Sequence, residues 1–327
     1  MAEFRIPTNA TLQAAKSFLS ANNYFNLPEP IARLVFHPGW MHMEPFALAM
    51  IAAWAGWCEQ QGLSIEVENL TKSADYAWRM KLFDYLRGVE YTPRRIEHEE
   101  AGRFLPIKNV RNTDEARAVI ADISALLHLT DNPEGLAAVQ YCISELIRNV
   151  LEHSGSPQGA YVCAHNFASA NPARVAIGIA DCGTGIASHL GNAYPEALES
   201  DARALQLALK PGVTGATAGV YGTPDNAGAG LFITRSIAKG TGGYFLIYSG
   251  TACYRLRRSG VMAQTVLLQD AFEEKRHDLW SFDNQWRGTV VAVEIRTDRI
   301  FDFEGYFGWI RDHIADQDRP HRRIKFT

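Results

Sequence analysis

The sequence is short of cysteine and has no strong excess of either charge. Its 327 residues include five cysteines, and none of them stands at CxxC spacing: Cys58, Cys142, Cys163, Cys182 and Cys253. Such scattered cysteines are typical of reduced thiols in a cytosolic protein, so we expect neither a disulfide framework nor a zinc site. The formal net charge of -4 argues against a general affinity for nucleic acid, which needs a strongly basic surface.

Long hydrophobic runs are absent as well. The longest apolar stretch, Phe46 to Trp57, is well short of the roughly 20 residues that a membrane-spanning helix needs. The first residues, Met1 to Leu12, lack the basic start and the apolar run of a signal peptide. We therefore expect a cytoplasmic protein with no membrane partner, and the length is sufficient for two domains.

The N-terminal third alternates helix and strand patterns. Pro45 to Cys58 is rich in alanine and apolar around most of its circumference, which predicts a buried helix. Leu63 to Val67 alternates like a strand, and Ala74 to Arg87 is predicted as a second helix. This order indicates a small α/β domain at residues 1–110. It loosely resembles the STAS-type regulatory domains.

A polar stretch separates this region from the rest of the chain. Tyr91 to Lys108 carries several charged residues and two prolines, and we predict that it is a linker or an edge connection. A domain boundary is therefore placed near Arg111. A helix is predicted from Asp114 to Leu127, at the start of a second domain that covers residues 111–300.

The most informative stretch is the helix that is predicted after Asn132. Asn132 is a good cap, and Pro133 suits the first helical position. A core-facing stripe recurs at helical spacing: Leu136, Val139, Ile143, Leu146, Ile147 and Val150. On another face, Glu145, Asn149 and His153 recur every four residues. These side chains can act as base, metal ligand and orienting group, or they can form an ordinary solvated face.

The second informative stretch follows a predicted strand. Ala160 to Asn166 and Arg174 to Ala180 are β-branched, apolar runs that predict adjacent strands. The second run leads directly into Asp181-Cys182-Gly183-Thr184-Gly185-Ile186. The carboxylate can accept a hydrogen bond from an exocyclic amine, and the glycines let a flat ring approach the backbone. A plain glycine turn is the alternative.

A long irregular segment, Ala187 to Ala227, comes next and contains one predicted helix, Asp201 to Leu209. Segments of this length in a compact domain are usually functional lids or disordered. The segment leads into Gly228-Ala229-Gly230-Leu231 and a helix at Phe232 to Lys239. Backbone N–H groups at such a helix start favour phosphate. Four antiparallel strands are predicted beyond it: Tyr244–Ser249, Ala252–Arg258, Thr265–Leu268 and Gly288–Ile295.

The C-terminal residues 301–327 are predicted as a helix and a charged tail. The helix carries aromatic residues at periodic positions: Phe301, Phe303, Tyr306, Phe307 and Trp309. A periodic aromatic face can dock on the same molecule or contact a partner.

In their order, these stretches resemble the GHKL superfamily of ATP-binding domains, which sensor histidine kinases and anti-sigma kinases share. The likeness covers about Arg111 to Arg296. The first box of the family is matched by Glu145-Leu146-Ile147-Arg148-Asn149 with His153, and the second by Asp181, Gly183 and Gly185. The third is matched by Gly228, Gly230 and Leu231, and the closing box by Gly288-Thr289.

The resemblance implies an α+β fold of Bergerat type, in which helices cover one face of a mixed, mostly antiparallel sheet. ATP would lie between the two layers, under the Ala187–Ala227 lid. By position, Asp181 would hold the adenine amine with support from Thr289, and Asn149 would bind Mg²⁺. Glu145 would polarise water or shape the side of the acceptor. The predicted contacts with the nucleotide are completed by His153, Gly183, Gly185, Ile186, Gly228, Gly230 and Leu231.

The function that follows is a Mg²⁺-dependent, ATP-binding regulatory protein of the histidine kinase-like or anti-sigma-kinase-like class. Its nucleotide would order the lid and so control a protein partner. Ordinary sensor kinases have a membrane span, a phosphoacceptor histidine and a receiver domain, none of which is evident in this sequence. Two alternatives stay open: a slow ATPase with nucleotide-driven homodimerisation, and a nucleotide-sensing module that does not hydrolyse ATP.

Overall fold

The computed structural model describes residues 2–26, 29–93, 103–127, 132–213, 228–259, 270–300 and 302–318, which combine α-helices with β-sheets. The helices are α1 Ala15–Ser20, α2 Pro45–Gln60, α3 Asp75–Arg79, α4 Thr113–Leu127, α5 Pro133–His153, α6 Ile186–Leu190, α7 Asp201–Ala208, α8 Gly230–Thr241 and α9 Phe303–Asp318. The strands are β1 Ala2–Ile6, β2 Asn9–Ala10, β3 Ile31–Phe36, β4 His42–Met43, β5 Ser64–Glu68, β6 Phe104–Val110, β7 Ala160–Phe167, β8 Arg174–Ala180, β9 Phe245–Leu256 and β10 His277–Ile295.

The largest sheet among these residues has five strands in the order β6-β7-β8-β10-β9, and every neighbouring pair is antiparallel. The N-terminal region adds a parallel sheet, β1-β3-β5, and a short parallel pair, β2-β4. Strand β6 is an edge strand and contains Pro106, which has no N–H to donate and is tolerated at an edge. The domain boundary that we predict after residue 110 therefore falls directly behind a strand of the large sheet.

Alternation along β8 gives the large sheet two different faces. Val175, Ile177 and Ile179 lie in the hydrophobic cluster that α5 and α8 share. The residues between them, Ala176, Gly178 and Ala180, are small and lie on the opposite face, because side chains alternate along a strand. One face therefore holds large side chains under a layer of helices, and the other allows a close approach.

Helix α2 covers the face with small residues. Its residues are buried from Pro45 to Cys58, as an alanine-rich, all-round apolar helix predicts. A Cβ atom added at Gly178 would lie 2.5 Å from the carbonyl carbon of Pro45, so the helix backbone rests on this glycine. Cys163 contacts the carbonyl oxygen of Pro45 through its Sγ at 3.1 Å. The N-terminal third thus packs on the large sheet, and its independent folding stays a prediction.

All five cysteines lie in the described residues, and none of them forms a disulfide, in agreement with the sequence. Four are buried, and Cys182 is partly buried with its Sγ 3.4 Å from the carbonyl oxygen of Ala53 in α2. Burial raises the pKa of these thiols above the usual value, which favours the protonated, unreactive form. The cysteines are therefore packing residues.

One predicted helix is shorter than expected. Ala74 to Arg87 is not a continuous helix, because α3 ends at Arg79 and Lys81 adopts a left-handed backbone conformation with φ +61°. A non-glycine residue in that conformation ends a right-handed helix. The chain continues as a short 3₁₀ turn at Leu82–Tyr85.

The C-terminal strands also differ from the prediction. The runs Tyr244–Ser249 and Ala252–Arg258 belong to one strand, β9, because Gly250 with φ +61° is absorbed in a register shift opposite Trp286. Strand β10 is longer than Gly288–Ile295 and begins at His277. The predicted strand Thr265–Leu268 lies outside the described residues.

Helix α9 packs on the rest of the molecule. Phe303 and Ile310 are buried in the cluster of α5 and α8, and the rings of Tyr141 and Phe307 meet with 4.8 Å between centroids. The hydroxyl of Tyr306 donates to the carbonyl oxygen of Ser236 in α8 at 2.9 Å. Phe303, Tyr306 and Phe307 therefore dock on the same molecule, as the first of the two interpretations predicts, whereas Trp309 is 44% exposed and Phe301 lies outside the described residues.

Candidate functional site

Helix α5 presents Glu145 from a buried position. Asn132 caps the helix as predicted, since its Oδ1 accepts from the N–H of Gly135 at 2.8 Å. Glu145 is paired with the Nη2 of Arg148 one turn later, although its side chain is nearly all covered. Burial raises the pKa of Glu145 above the usual value, and the guanidinium of Arg148 opposes that rise. The carboxyl is thus held in one place by a neighbouring positive charge.

Asp181 follows the last residue of β8 and is 1% exposed. Its Oδ1 accepts from the N–H of Gly183 at 2.7 Å, and its Oδ2 accepts from the N–H of Thr289 at 3.2 Å. The indole N–H of Trp286 donates to its carbonyl oxygen at 2.9 Å. Burial raises the pKa of Asp181 to about 7, against the lowering effect of the two backbone N–H groups. A further hydrogen-bond donor would therefore stabilise the ionised form.

The loop after Asp181 is fixed to the C-terminal end of α5. Thr184 donates from its N–H and its hydroxyl to the carbonyl oxygen of Ser154, at 2.8 Å and 3.1 Å. A Cβ atom on Gly183 would lie 2.8 Å from the carbonyl carbon of Ser154, so only glycine allows this approach. The first two predicted boxes are therefore in direct contact.

A serine that the sequence does not single out joins the second box to the closing box. The hydroxyl of Ser249 in β9 donates to the carbonyl oxygen of Gly288 at 2.7 Å and accepts from the N–H of Ile186 at 3.0 Å. Gly185 and Gly288 both have positive φ, +79° and +83°, which glycine adopts readily. The start of α6 is thereby fixed at the end of the sheet beside Asp181.

The third box lies against the first. Gly230 begins α8, and a Cβ atom at that position would overlap the carboxylate of Glu145. Leu231 is partly buried against the neighbouring hydrophobic residues. Gly228 has φ +77°, and a Cβ there would be 2.8 Å from the carbonyl oxygen of Val213. Val213, in the described part of the predicted lid, therefore contacts Gly228, which follows the lid and lies two residues before Gly230.

The described part of the lid is structured. Helix α7 coincides with the predicted Asp201–Leu209 helix within one residue, and Ser200 caps it by accepting from the N–H of Arg203 at 3.1 Å. Asp201 accepts from the N–H and the hydroxyl of Thr251 in β9, each at 2.8 Å. This pair of bonds anchors α7 to the sheet. Residues 214–227 of the predicted lid lie outside the described residues.

His153 stands at the end of α5 and faces His189 of α6. Their ring centroids are 4.6 Å apart, and the Nε2 of His189 is buried with no hydrogen-bond partner within the described ranges. Burial is the largest cause that lowers the pKa of each histidine. Arg148 lowers the pKa of His153 further, whereas the backbone of Glu152 raises it. Both rings are therefore held in the neutral form at neutral pH.

This pair of histidines predicts a loss of stability in mild acid. Unfolded histidines bind protons near pH 6.5, and the buried pair binds them only at lower pH. The unfolded state therefore binds more protons as the pH falls from about 7 to about 5, and the free energy of unfolding decreases. His189→Phe keeps an aromatic ring and removes one titrating group, so we expect a weaker pH dependence. Urea unfolding of both proteins over this range measures it, and equal slopes would contradict the expectation.

Asn149 lies on the polar face of α5, between Glu145 and His153. Its Nδ2 is buried, and no hydrogen-bond partner for it exists in the part of the chain that the structure describes. In that part, no three His, Cys, Asp or Glu side chains come together as a metal cage. Mg²⁺ is usually held by one or two protein oxygens with water and phosphate oxygens, so a single amide fits that ion better than a protein cage would.

No protein-family model matches the chain, and no curated protein matches it. Among the helices in the described ranges, none has the length and hydropathy to cross a bilayer.

The structure brings residues from all four predicted boxes together, and it adds partners that sequence reasoning missed. Ser154, Ser249 and Trp286 hold the backbone around Asp181, and Arg148 holds Glu145. Arg148 lies within the first predicted box, three residues after Glu145, and this spacing could have indicated an ion pair. Ser249 lies within β9 and no sequence feature marks it, so its role is visible only in the fold.

Proposed function

We propose that the chain is a Mg²⁺-dependent, ATP-binding regulatory protein of the histidine kinase-like class, with a Bergerat-type domain. One observation carries the proposal: four stretches that are far apart in sequence meet along α5. The loop after β8, with Asp181, and the Gly288-Thr289 corner of β10 lie at the C-terminal end of α5, and the start of α8 lies against Glu145, further back on the same helix. The antiparallel sheet with α4, α5 and α8 on one face supports the same proposal.

Asp181 is the proposed acceptor for the adenine amine. Each carboxylate oxygen accepts one backbone N–H, and each has a second lone pair for another donor. An amine that donates to this buried carboxylate would replace the lost solvation that raises its pKa. Gly183 and Gly185 let the backbone of Ser154 and the hydroxyl of Ser249 approach closely, which holds the loop around the carboxylate.

Asn149 is the proposed protein ligand of Mg²⁺, which when bound would neutralise phosphate charge. The buried, unpaired atom of this amide is Nδ2, a donor that a phosphate oxygen could satisfy, and the Oδ1 of the same amide is the atom that would bind the ion. An amide can turn about its last side-chain bond, so its oxygen can face the ion. His153 lies one turn further along α5, near the same region.

Glu145 is the proposed residue for the chemistry at the phosphate end. It lies against Gly230 at the start of α8, where backbone N–H groups favour phosphate. Its raised pKa suits a group that takes a proton from water, and Arg148 keeps its carboxylate oriented. If the protein only binds ATP, the same pair keeps a buried charge compensated.

The described part of the proposed lid contacts α8, the helix that begins beside Glu145. Helices α6 and α7 share a small hydrophobic cluster of their own, and Leu231 of α8 packs against it. Because Val213 of the lid contacts Gly228, and Gly230 lies against Glu145, a phosphate group bound at the start of α8 would act on a segment that the lid contacts. The proposed output is a lid whose order depends on nucleotide and which a protein partner, or a second copy of the chain, recognises.

Binding of ATP with and without Mg²⁺ tests the proposal. We expect calorimetric binding of ATP in the presence of Mg²⁺, and about tenfold weaker binding after Asn149→Ala, because the ion loses its protein ligand. In EDTA the wild type and Asn149→Ala should bind ATP equally. Ser144→Ala, on another face of α5, is the matched control and should change neither affinity.

The same samples separate the three regulatory alternatives. Phosphate release that Glu145→Gln abolishes indicates hydrolysis, and a nucleotide-dependent rise in mass by light scattering indicates homodimerisation. Binding without either indicates a sensing module. ATP at about 1 mM would occupy even a weak site. If calorimetry then detects no heat of binding and the unfolding temperature does not change, the proposed function is wrong.

A further inference from the structure

A cavity of about 420 Å³ lies far from Asp181. Arg174, the first residue of β8, lines it, whereas Asp181 follows the last residue of that strand. Seven residues of strand separate the two ends by roughly 23 Å. The volume is within the usual range for small-molecule sites, about 300–1,000 Å³. The cavity is therefore large enough for a ligand of its own and distinct from the proposed ATP site.

A buried carboxylate anchors two guanidinium groups beside this cavity. Glu294 of β10 is fully buried, and its carboxylate accepts from the Nε and the Nη2 of Arg258 at 2.8 Å and 2.5 Å. The Nε of Arg174 lies 3.0 Å from the same carboxylate. One negative charge thus faces two positive charges, and the group carries a net positive charge. The carboxylate fixes Arg258 through two hydrogen bonds, whereas the Nε of Arg174 is buried and makes no hydrogen bond within the described residues.

Both arginines have N–H groups left over for a ligand. The structure shows no acceptor within its described ranges for the Nη1 of Arg258 or the Nη2 of Arg174. Both side chains line the cavity, and Arg174 is mostly covered. Tyr244 stacks under Arg258, with 5.0 Å from the guanidinium carbon to the ring centroid. These donors are preorganised rather than free to move, which favours binding of an anion.

Glu44 and His42 are further titratable groups that line the cavity. Glu44 accepts from the N–H of Leu12 at 2.6 Å, and burial raises its pKa. His42 also lines the cavity, and burial together with Arg174 lowers its pKa, so it remains neutral. Gln13 is exposed at the rim. The lining therefore places two guanidinium groups beside Glu44, with the buried Glu294 behind them, so an anion would be held by directed N–H groups rather than by an excess of positive charge.

We propose that this cavity binds a small polar anion, with its carboxylate or phosphate group on Arg174 and Arg258 and a hydroxyl or amide group toward Glu44. The lining comes from β2, β4 and the start of α2 on one side, and from the large sheet on the other. A ligand there would contact the N-terminal region and the large sheet together. The anion would then influence how firmly the two regions hold each other.

Titration of the full chain with inorganic phosphate and with malate tests the site. The two probes separate a phosphate ligand from a hydroxy-carboxylate ligand, and hydrogen–deuterium exchange should show protection of residues 9–14 and 42–44. Arg258→Gln should weaken binding of the preferred probe about tenfold, because a charge-assisted hydrogen bond is lost. Arg257→Gln removes the same charge from an exposed neighbour outside the cavity and should leave binding unchanged.

A second pair of variants tests the charge without disturbing the buried ion pairs. Gln13→Glu should weaken anion binding about threefold and Gln13→Lys should strengthen it by a similar factor, as expected for a charge at an exposed rim. Thermal unfolding confirms that each variant is folded. The proposal is overturned if neither probe binds, if both Gln13 variants leave the affinity unchanged, or if their effects have the opposite sign. Protection confined to residues 181–186 would assign the binding to the other site and also overturn it.

Discussion

Asp181→Asn should reduce the affinity for ATP about 100-fold, the effect of losing a charge-assisted hydrogen bond in a buried place. The variant keeps the size of the side chain. Its amide has one acceptor oxygen, whereas the carboxylate has two, and the backbone N–H groups of Gly183 and Thr289 each need one. Whichever way the amide turns, an NH₂ group faces a backbone N–H, and the one remaining acceptor oxygen is neutral, so a hydrogen bond from the adenine amine loses its charge assistance. Calorimetric titration with ATP measures the loss.

The nucleotide itself offers the control for this experiment. Inosine triphosphate carries an oxygen where ATP carries the exocyclic amine, so it cannot donate to Asp181. The wild type should therefore prefer ATP to inosine triphosphate strongly, and Asp181→Asn should lose most of that preference. Asp278→Asn, far along β10 and paired with Arg255, controls for the loss of a carboxylate elsewhere. An unchanged ratio between the two nucleotides would show that Asp181 does not contact the base.

The local pattern around the site was readable from the sequence because each element has a strong signal of its own. Asn132 and Pro133 mark the start of α5, and the four-residue spacing places Glu145, Asn149 and His153 on one face. The β-branched run before Asp181 marks β8, and its end positions the carboxylate. These features depend on residues that are close in sequence, so a single sequence carries them.

The contacts that assemble the site depend on residues far apart in sequence. Ser249 joins Gly288 to Ile186, and Thr184 reaches back to Ser154, because the antiparallel order β7-β8-β10-β9 brings these corners together. No local pattern encodes that order. The length of β9 was misjudged for a related reason: Gly250 suggests a turn locally, and its pairing opposite Trp286 keeps it in the strand.

The role of the N-terminal third was readable only in part. The Pro45–Cys58 run predicts a buried helix, and α2 is one, but the sequence does not say what buries it. The alternation in β8 of large residues with Ala176, Gly178 and Ala180 is a signal that the prediction did not use. Small residues on one face of a strand allow close packing by a second layer. Strand β8 therefore carries information about both of its faces.

Gly178→Val should destabilise the protein by about 3 kcal/mol or more, at the upper end of the range for overpacking. Valine suits a strand, so the loss comes from packing alone. The added Cβ would overlap the backbone of Phe46 and lie 2.5 Å from the carbonyl carbon of Pro45, and backbone atoms cannot turn aside as a flexible side chain can. Gly178→Ala introduces the same Cβ and should cost part of this amount. Urea unfolding followed by tryptophan fluorescence measures both losses.

Ile177→Val is the matched control because it changes the neighbouring residue on the opposite face, where it should cost about 1 kcal/mol. The way in which Gly178→Val unfolds also tests the predicted domain boundary. If residues 1–110 and the rest fold as one unit, the variant loses stability in a single transition. If they fold separately, limited proteolysis will cleave the N-terminal region while the large sheet keeps its wild-type stability, because releasing α2 relieves the overlap at Gly178. A variant as stable as the wild type would contradict the close packing of α2 on β8.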